Sequence, residues 1–226
     1  MSKVFISGAF GSLGFALAKK YLENNFNAYL HCRTKSSYNH KKESLKKYKN
    51  NYKIIAGDLR DNFTVDKISK NLIDNKIDII INNAGIYLQK EFDKTSLKEI
   101  RKIFEVNFFF IVKLLLKITQ STKKRNYLIV NINSLSGLNG SRGESVYSAS
   151  KHALKGLFDS LDLDELSKKI SILNIYPGAI QSKITRKRET FKKLMLPEEV
   201  AEVVFAQTKK FQSLKIKSLI LTRKVY

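Results

Sequence analysis

The chain opens with a short apolar strand pattern over residues 3–7, then a turn spaced by Gly8, Gly11 and Gly14. Apolar residues follow at helical spacing, at Leu13, Ala16, Leu17, Tyr21 and Leu22. A strand that passes through a glycine turn into an amphipathic helix commits the chain to a βα unit and constrains the fold more than any other stretch. The glycines allow close backbone approach. The helix N-terminus offers unpaired N–H groups and the positive end of its dipole, so the turn reads as a phosphate site. Gly137, Gly140 and Gly143 repeat the spacing, but only the first set lies directly between a strand and an amphipathic helix.

The rest of the chain keeps alternating. Further strands are expected at 27–32, 52–56, 77–81, 127–133, 170–175 and 214–222. Helices are expected at 38–50, around Ile68, Leu72 and Ile73, over a long span at 96–122, at 145–168, and from Pro197, where proline suits a first turn. Residues 77–81 are almost wholly apolar, as a strand covered on both faces must be. With 226 residues and 43% hydrophobic side chains, one well-buried α/β domain spanning 1–226 is expected, without a second. No apolar run nears the ~20 residues of a membrane span, and the N-terminus has no signal-peptide layout. A cytoplasmic protein with no membrane contact is therefore expected, and the lone Cys32 agrees with a reducing compartment.

A formal net charge of +22 would suit a polyanionic partner. The lysines are, however, spread along the whole chain, with no basic block interleaved with aromatics and no nucleic-acid motif. Heavy use of Lys, Asn and Ile reads as compositional bias, and specific nucleic-acid binding is not expected.

The chemistry concentrates later in the chain. Tyr147 and Lys151 stand four residues apart, so a helix would present phenol and ammonium on one face. A cation beside a phenol favours the phenolate and would bring Tyr147 nearer neutral pH as a general acid and base. Ser134, at the end of an apolar run, could hold a carbonyl oxygen against that phenol. Tyr38 and Lys42 share the spacing but lie in a polar segment with no such serine, and read as surface.

At the second strand, a site for NAD usually places an acidic residue about 20 residues after the glycines to hold a ribose hydroxyl. None occurs between Glu23 and Glu43. Arg33 instead offers a cation to a 2′-phosphate, with Thr34 and Ser36 as hydroxyl donors, so NADP(H) is favoured over NAD(H). Arg33 as one more surface cation remains the alternative. The long helix carries Phe108, Phe109, Phe110 and Ile111 in succession, more apolar surface than one sheet contact needs, which suggests a homodimer or homotetramer.

Taken together, Gly8, Gly11 and Gly14, Asp58, Asn82 to Gly85, Asn107, Ser134, Tyr147 with Lys151, and Pro177, Gly178, Ile180 and Ser182 make the chain resemble the short-chain dehydrogenase/reductase family over essentially its whole length. The resemblance implies a doubly wound Rossmann parallel sheet in three α/β/α layers. It also implies a nicotinamide dinucleotide held by Gly8, Gly11, Ser12, Leu13, Gly14, Arg33, Thr34, Asp58, Leu59, Asn83, Ala84, Gly85, Tyr147, Lys151, Pro177, Gly178, Ile180 and Ser182, and no metal. Its implied catalytic set is Asn107, Ser134, Tyr147 and Lys151: Ser134 orienting a carbonyl, Tyr147 passing the proton, Lys151 holding the ribose and lowering the phenol's pKa, and Asn107 anchoring a water relay.

Ser12 departs from the glycine usual there, and the resulting spacing resembles the sugar-nucleotide branch. Only about 45 residues follow Gly178, too few for that branch's substrate domain. The implied activity is NADP-dependent reduction of a ketone or aldehyde, 3-oxoacyl-type substrates among them. A catalytically silent NADP-binding sensor and a nucleotide-sugar-modifying relative are the alternatives. A short lid is expected at about 183–196. Residues 183–193 hold six basic side chains and one acidic, which either line the pocket mouth and attract an anionic or carrier-bound substrate or form a solvated face.

Overall fold

The structure, a computed structural model, describes residues 2–121, 126–164, 169–208 and 215–223. Its strands are β1 (Lys3–Ile6), β2 (Asn27–Cys32), β3 (Tyr52–Ala56), β4 (Ile79–Asn82), β5 (Tyr127–Ile132), β6 (Ile170–Pro177) and β7 (Ser218–Leu221). All pair in parallel in the order β3-β2-β1-β4-β5-β6-β7. The helices are α1 (Ser12–Glu23), α2 (Lys35–Asn39), α3 (Asn62–Asp74), α4 (Leu97–Phe104), α5 (Phe110–Thr119), α6 (Ser145–Leu161) and α7 (Pro197–Gln207). This is a doubly wound Rossmann-like α/β/α fold. The strand order reverses between β1 and β4, and the crevice at such a reversal is where open parallel sheets bind ligands.

Alternation along the strands builds two cores. Val4, Ile6, Leu30, Ile81, Val130 and Leu173 face α1 and α7, where Leu17, Tyr21, Val204 and Phe205 cover them. Phe5, Ile80, Ile129 and Ile172 face the other way, against Val65, Leu72, Ile111, Leu114 and Phe158 of α3, α5 and α6. Each such side chain, fully buried, contributes about 1.5–3 kcal/mol, so both faces of the sheet are held strongly.

Several local expectations are corrected. The helix expected at 38–50 is two pieces, α2 and a 3-10 stretch at Lys42–Tyr48, because a polar, lysine-rich segment has little apolar stripe to hold a longer helix. The long helix at 96–122 is interrupted by a π turn at Glu105–Phe109, and its expected end at Thr122 lies outside the described residues. The helix at 145–168 ends at Leu161, and 165–168 lie outside the described residues. The last strand is shorter than expected, and Leu214 is likewise outside them. Phe110 and Ile111 are not surface: both are buried in the core, leaving Phe109 exposed.

Three strand-end asparagines sit in register. Asn82 pairs with Asn131, and Asn131 with Asn174, across β4, β5 and β6. The Asn82 amide donates to Asn131 Oδ1 at 3.0 Å, and the Asn131 amide donates to Asn174 Oδ1 at 2.9 Å, both bonds fully buried. Replacing the middle member, Asn131→Leu, orphans a donor on one side and an acceptor on the other. It is expected to cost about 3 kcal/mol of unfolding free energy by urea titration, with an unchanged m-value. A cost under about 1 kcal/mol would show that the ladder is not a stabilising element.

Candidate functional site

The carboxyl ends of β1, β2, β4, β5 and β6 open into one cavity of about 670 Å³. At its first end, Gly8 takes φ +62°, and a Cβ there would stand 3.0 Å from the Ala84 Cα. At Gly14 a Cβ would meet the Gly8 carbonyl oxygen at 2.2 Å, so the α1 start can pack here only as glycine. Gly11 caps α1 without a side-chain bond, leaving the first backbone N–H groups of the helix free of intrahelical partners and turned to the cavity end.

Two residues outside the expected set hold this turn. Ser7 accepts from the backbone N–H groups of Asn83 at 3.0 Å and Ala84 at 2.9 Å, while the Asn83 amide donates to the Ser7 and Gly8 carbonyls. His31, fully buried on β2, accepts from Gly8 N–H through Nδ1 at 3.2 Å, and its Nε2 lies 3.0 Å from the Gly57 carbonyl. The Nδ1 acceptor fixes the neutral tautomer with Nε2 as donor. Burial holds the His31 pKa below the usual value, with the Gly57 bond and the Asp58 charge opposing it. A polar ring amid the apolar residues of β2 was the only sequence signal for this role.

Gly8, Gly11, Ser12, Leu13, Gly14, Arg33, Asp58, Leu59, Asn83, Ala84, Gly85, Pro177, Gly178, Ile180 and Ser182 all line the cavity. Thr34 does not: it is exposed, and its hydroxyl pairs with those of Ser36 at 2.9 Å and Ser37 at 3.1 Å. Ser37 takes its place in the wall. Asp58 is engaged by Arg60, whose Nη2 donates to Oδ2 at 2.7 Å. Those hydrogen bonds hold the Asp58 carboxyl down to about 2. The Ser182 hydroxyl is 3.2 Å from that of Thr185, which donates to the Ile180 carbonyl at 2.7 Å and so fixes the turn after β6.

At the other end Ser134, Tyr147 and Lys151 share one wall. Lys151 is 4% exposed, and its ammonium donates to the Ile132 carbonyl at 3.1 Å; burial brings it down to about 8. Its Nζ lies 5.9 Å from the Tyr147 ring centroid. The expectation that Lys151 brings the phenol towards neutral is corrected here. Burial raises the Tyr147 pKa, its hydrogen bond to Ser134 partly offsets this, and the charge of Glu144 adds to the rise.

Asn107 does not line the cavity. Buried in the π turn, it accepts from Ile86 N–H at 2.8 Å and donates to the Ile86 carbonyl at 3.0 Å and the Ser150 hydroxyl at 3.0 Å. It thereby sets the strand-end segment beside Gly85 and Lys151. Of the basic residues at 183–193, only Arg188 reaches the wall; Lys183, Arg186, Lys187, Lys192 and Lys193 are exposed outside it. The expected lid at 183–196 is a run of turns with a 3-10 stretch at Phe191–Lys193, and it closes on its own start through a bridge between Ile180 and Met195.

A family model described as short chain dehydrogenase matches residues 2–193. Among curated relatives, fatty acyl-CoA reductase of Acinetobacter baylyi is 27% identical over 208 residues, covering 88% of this chain and 70% of that one. The 3-oxoacyl-[acyl-carrier-protein] reductase FabG of Buchnera aphidicola is 31% identical over 185 residues, 74% of this chain and 75% of that one. An alcohol dehydrogenase from Thermococcus sibiricus, solved with 5-hydroxy-NADP, superposes with a TM-score of 0.86 at 20% identity over the whole of both chains.

The His31 bonds generate a pH signature. A base whose pKa falls on folding takes up its proton more readily in the unfolded chain, so its stabilisation is present above the unfolded value of about 6.5 and is lost as pH falls below it. Urea unfolding is expected to show stability declining below pH 6.5 by up to about 1.4 kcal/mol per unit, with a flatter profile in His31→Gln. Equal slopes in both proteins down to pH 5 would remove His31 from this account.

Proposed function

The chain belongs to the short-chain dehydrogenase family and is an NAD(P)-dependent oxidoreductase, and from that premise we propose that it reduces a ketone or aldehyde carbonyl with NADPH, Tyr147 giving the proton. The observation that carries the reading is that Ser134, Tyr147 and Lys151, close to one another, line the same cavity as the glycine turn. The residues present fit a dinucleotide: a cradle at Gly8 and Gly14 that a Cβ would fill, free N–H groups at the start of α1, and Arg33 at the end of β2 for a 2′-phosphate. When bound, that group supplies a hydride to the carbonyl carbon.

The chain's own residues do the rest. Ser134 and Tyr147 both donate to the substrate's carbonyl oxygen. The raised phenol keeps its proton until that oxygen gains negative charge, then passes it across, and the oxygen becomes the hydroxyl of the alcohol product. Lys151, brought down to about 8, is still mostly protonated at neutral pH, so its cation favours the phenolate left behind. Asn107, held behind Lys151, anchors the relay that returns the proton. Such a proton donor has no use in a sensor that only binds.

The substrate we propose is a 3-oxoacyl-type carbonyl on an anionic or protein carrier. Arg188 on the wall supports this, as do the acyl-CoA in the name of one curated relative and the 3-oxoacyl-[acyl-carrier-protein] in that of the other. A homodimer or homotetramer is supported by the exposed Leu97, Phe109 and Leu116 on α4, the π turn and α5. The protein is assigned to the cytoplasm; among the described residues no helix is long and apolar enough to cross a membrane.

Tyr147→Phe is expected to keep NADPH binding, read by fluorescence, while lowering kcat at least ~100-fold on a carbonyl panel. Turnover equal to the parent's would remove the assigned role. Arg33→Asp is expected to weaken NADPH far more than NADH, because a like charge would face the 2′-phosphate. An unchanged ratio of the two dissociation constants would return Arg33 to the surface.

A further inference from the structure

Glu144 stands where a helix-capping side chain would, directly before α6, yet makes no cap bond. Its carboxylate turns outward into the cavity wall instead. Oε1 accepts from the Tyr87 hydroxyl at 2.6 Å, and Oε2 from the Ser136 hydroxyl at 2.8 Å. Tyr87 lies edge-on to Tyr147, ring centroids 5.0 Å apart at 74°. Ser136 belongs to the turn that carries Ser134, whose hydroxyl accepts from the Ser136 N–H at 3.1 Å. Thus one carboxylate is bonded to neighbours of both members of the proton-donating pair.

We propose that Glu144 is a positioning residue for the Ser134–Tyr147 pair, holding Tyr87 against the phenol and Ser136 beneath the serine while facing the phenol with a negative charge. The inference rests on the reading of Tyr147 as proton donor. Both hydroxyls that hold the carboxylate are neutral, so its charge stays available to act on the wall. Tyr147 is faced from α6 by Glu144 three residues before it and Lys151 four after it. From elsewhere, Tyr87 of the β4–α4 segment packs edge-on against it, and Arg188 of the lid and Lys102 of α4 line the same cavity. Arg188 reaches the same cluster, its Nη2 donating to the Tyr87 oxygen at 3.3 Å. Glu144 disfavours the phenolate and Lys151 favours it, so the two ends of this helical stretch set opposing fields on one hydroxyl. Burial is the largest cause of the raised phenols of Tyr147 and of Tyr87, the latter pushed up to about 12, and Glu144 adds to the rise of both.

Two variants separate the charge from the bonds. In Glu144→Gln the amide keeps an acceptor for one hydroxyl and a donor for the other, and only the charge goes; in Glu144→Ala both bonds go. For carbonyl reduction at saturating NADPH, Glu144→Gln is expected to move the alkaline fall of kcat/KM down by at least about 0.5 pH unit. Glu144→Ala is expected to lower plateau kcat about 10-fold or more, with the NADPH dissociation constant unchanged. Superimposable pH profiles for the parent and Glu144→Gln overturn the proposal, as does parental kcat in Glu144→Ala. A titration of tyrosine Cζ carbons by NMR, with the Tyr147 signal assigned from Tyr147→Phe, needs no turnover and decides the matter even if no carbonyl is reduced. A Tyr147 signal that titrates lower in Glu144→Gln upholds the inference, and one that does not move overturns it.

Discussion

Much of what lines the cavity follows the carboxyl ends of parallel strands, so the relative height of those ends is the constraint on which the site depends. Backbone ladders set that height only to the nearest repeat, and a slip of two residues would keep every side chain on its proper face. The amides of Asn82, Asn131 and Asn174 remove that freedom, because each side-chain bond exists in one register alone. The residues just beyond these asparagines are those that matter most: Asn83 and Ala84 bind the Ser7 hydroxyl, and Asn133 donates to the Lys151 carbonyl at 3.2 Å. The ladder therefore sets glycine turn and proton donor at a common level, although it touches neither.

Much of this was legible in the sequence, and the legible parts share a cause. Strand, glycine turn and helix are local patterns, and so is a Tyr–Lys pair four residues apart. Close backbone packing at Gly14 or an almost wholly apolar strand at β4 leaves a mark on each position separately. The decoy pair at Tyr38 resolves in the same way: its hydroxyl meets that of Tyr52 at 3.2 Å, on the polar flank of the sheet.

What was not legible depends on several segments at once. His31 is a single polar ring in an apolar strand until the Gly8 N–H and the Gly57 carbonyl are brought to either side of it. Glu144 is one acidic residue in a basic chain until Tyr87, distant in sequence, and Ser136, on the preceding turn, close on it. The sign of the Tyr147 shift was missed for the same reason. Spacing reveals that a cation is near but not how deeply the phenol is buried, and here burial raises the phenol's pKa. Charge density over 183–193 left two readings open, pocket mouth or solvated face, because sequence does not say how side chains fan out around a turn; of these cations Arg188 alone lines the cavity.

The π turn at Glu105–Phe109 bears on how such a site can drift. A wide turn holds one residue more than the α-helix on either side of it, and each residue in a helix is worth about 100° of rotation. α4 and α5 are thus two helices out of phase by one residue, with Asn107 at the slip. Substitutions within the segment leave that phase alone. Loss of a single codon would shorten the segment by one residue, heal the helix, keep its apolar character, and swing Asn107 away from Ile86 and Ser150. Among relatives, then, length through this stretch is a better guide than residue identity to whether the amide still stands behind Lys151.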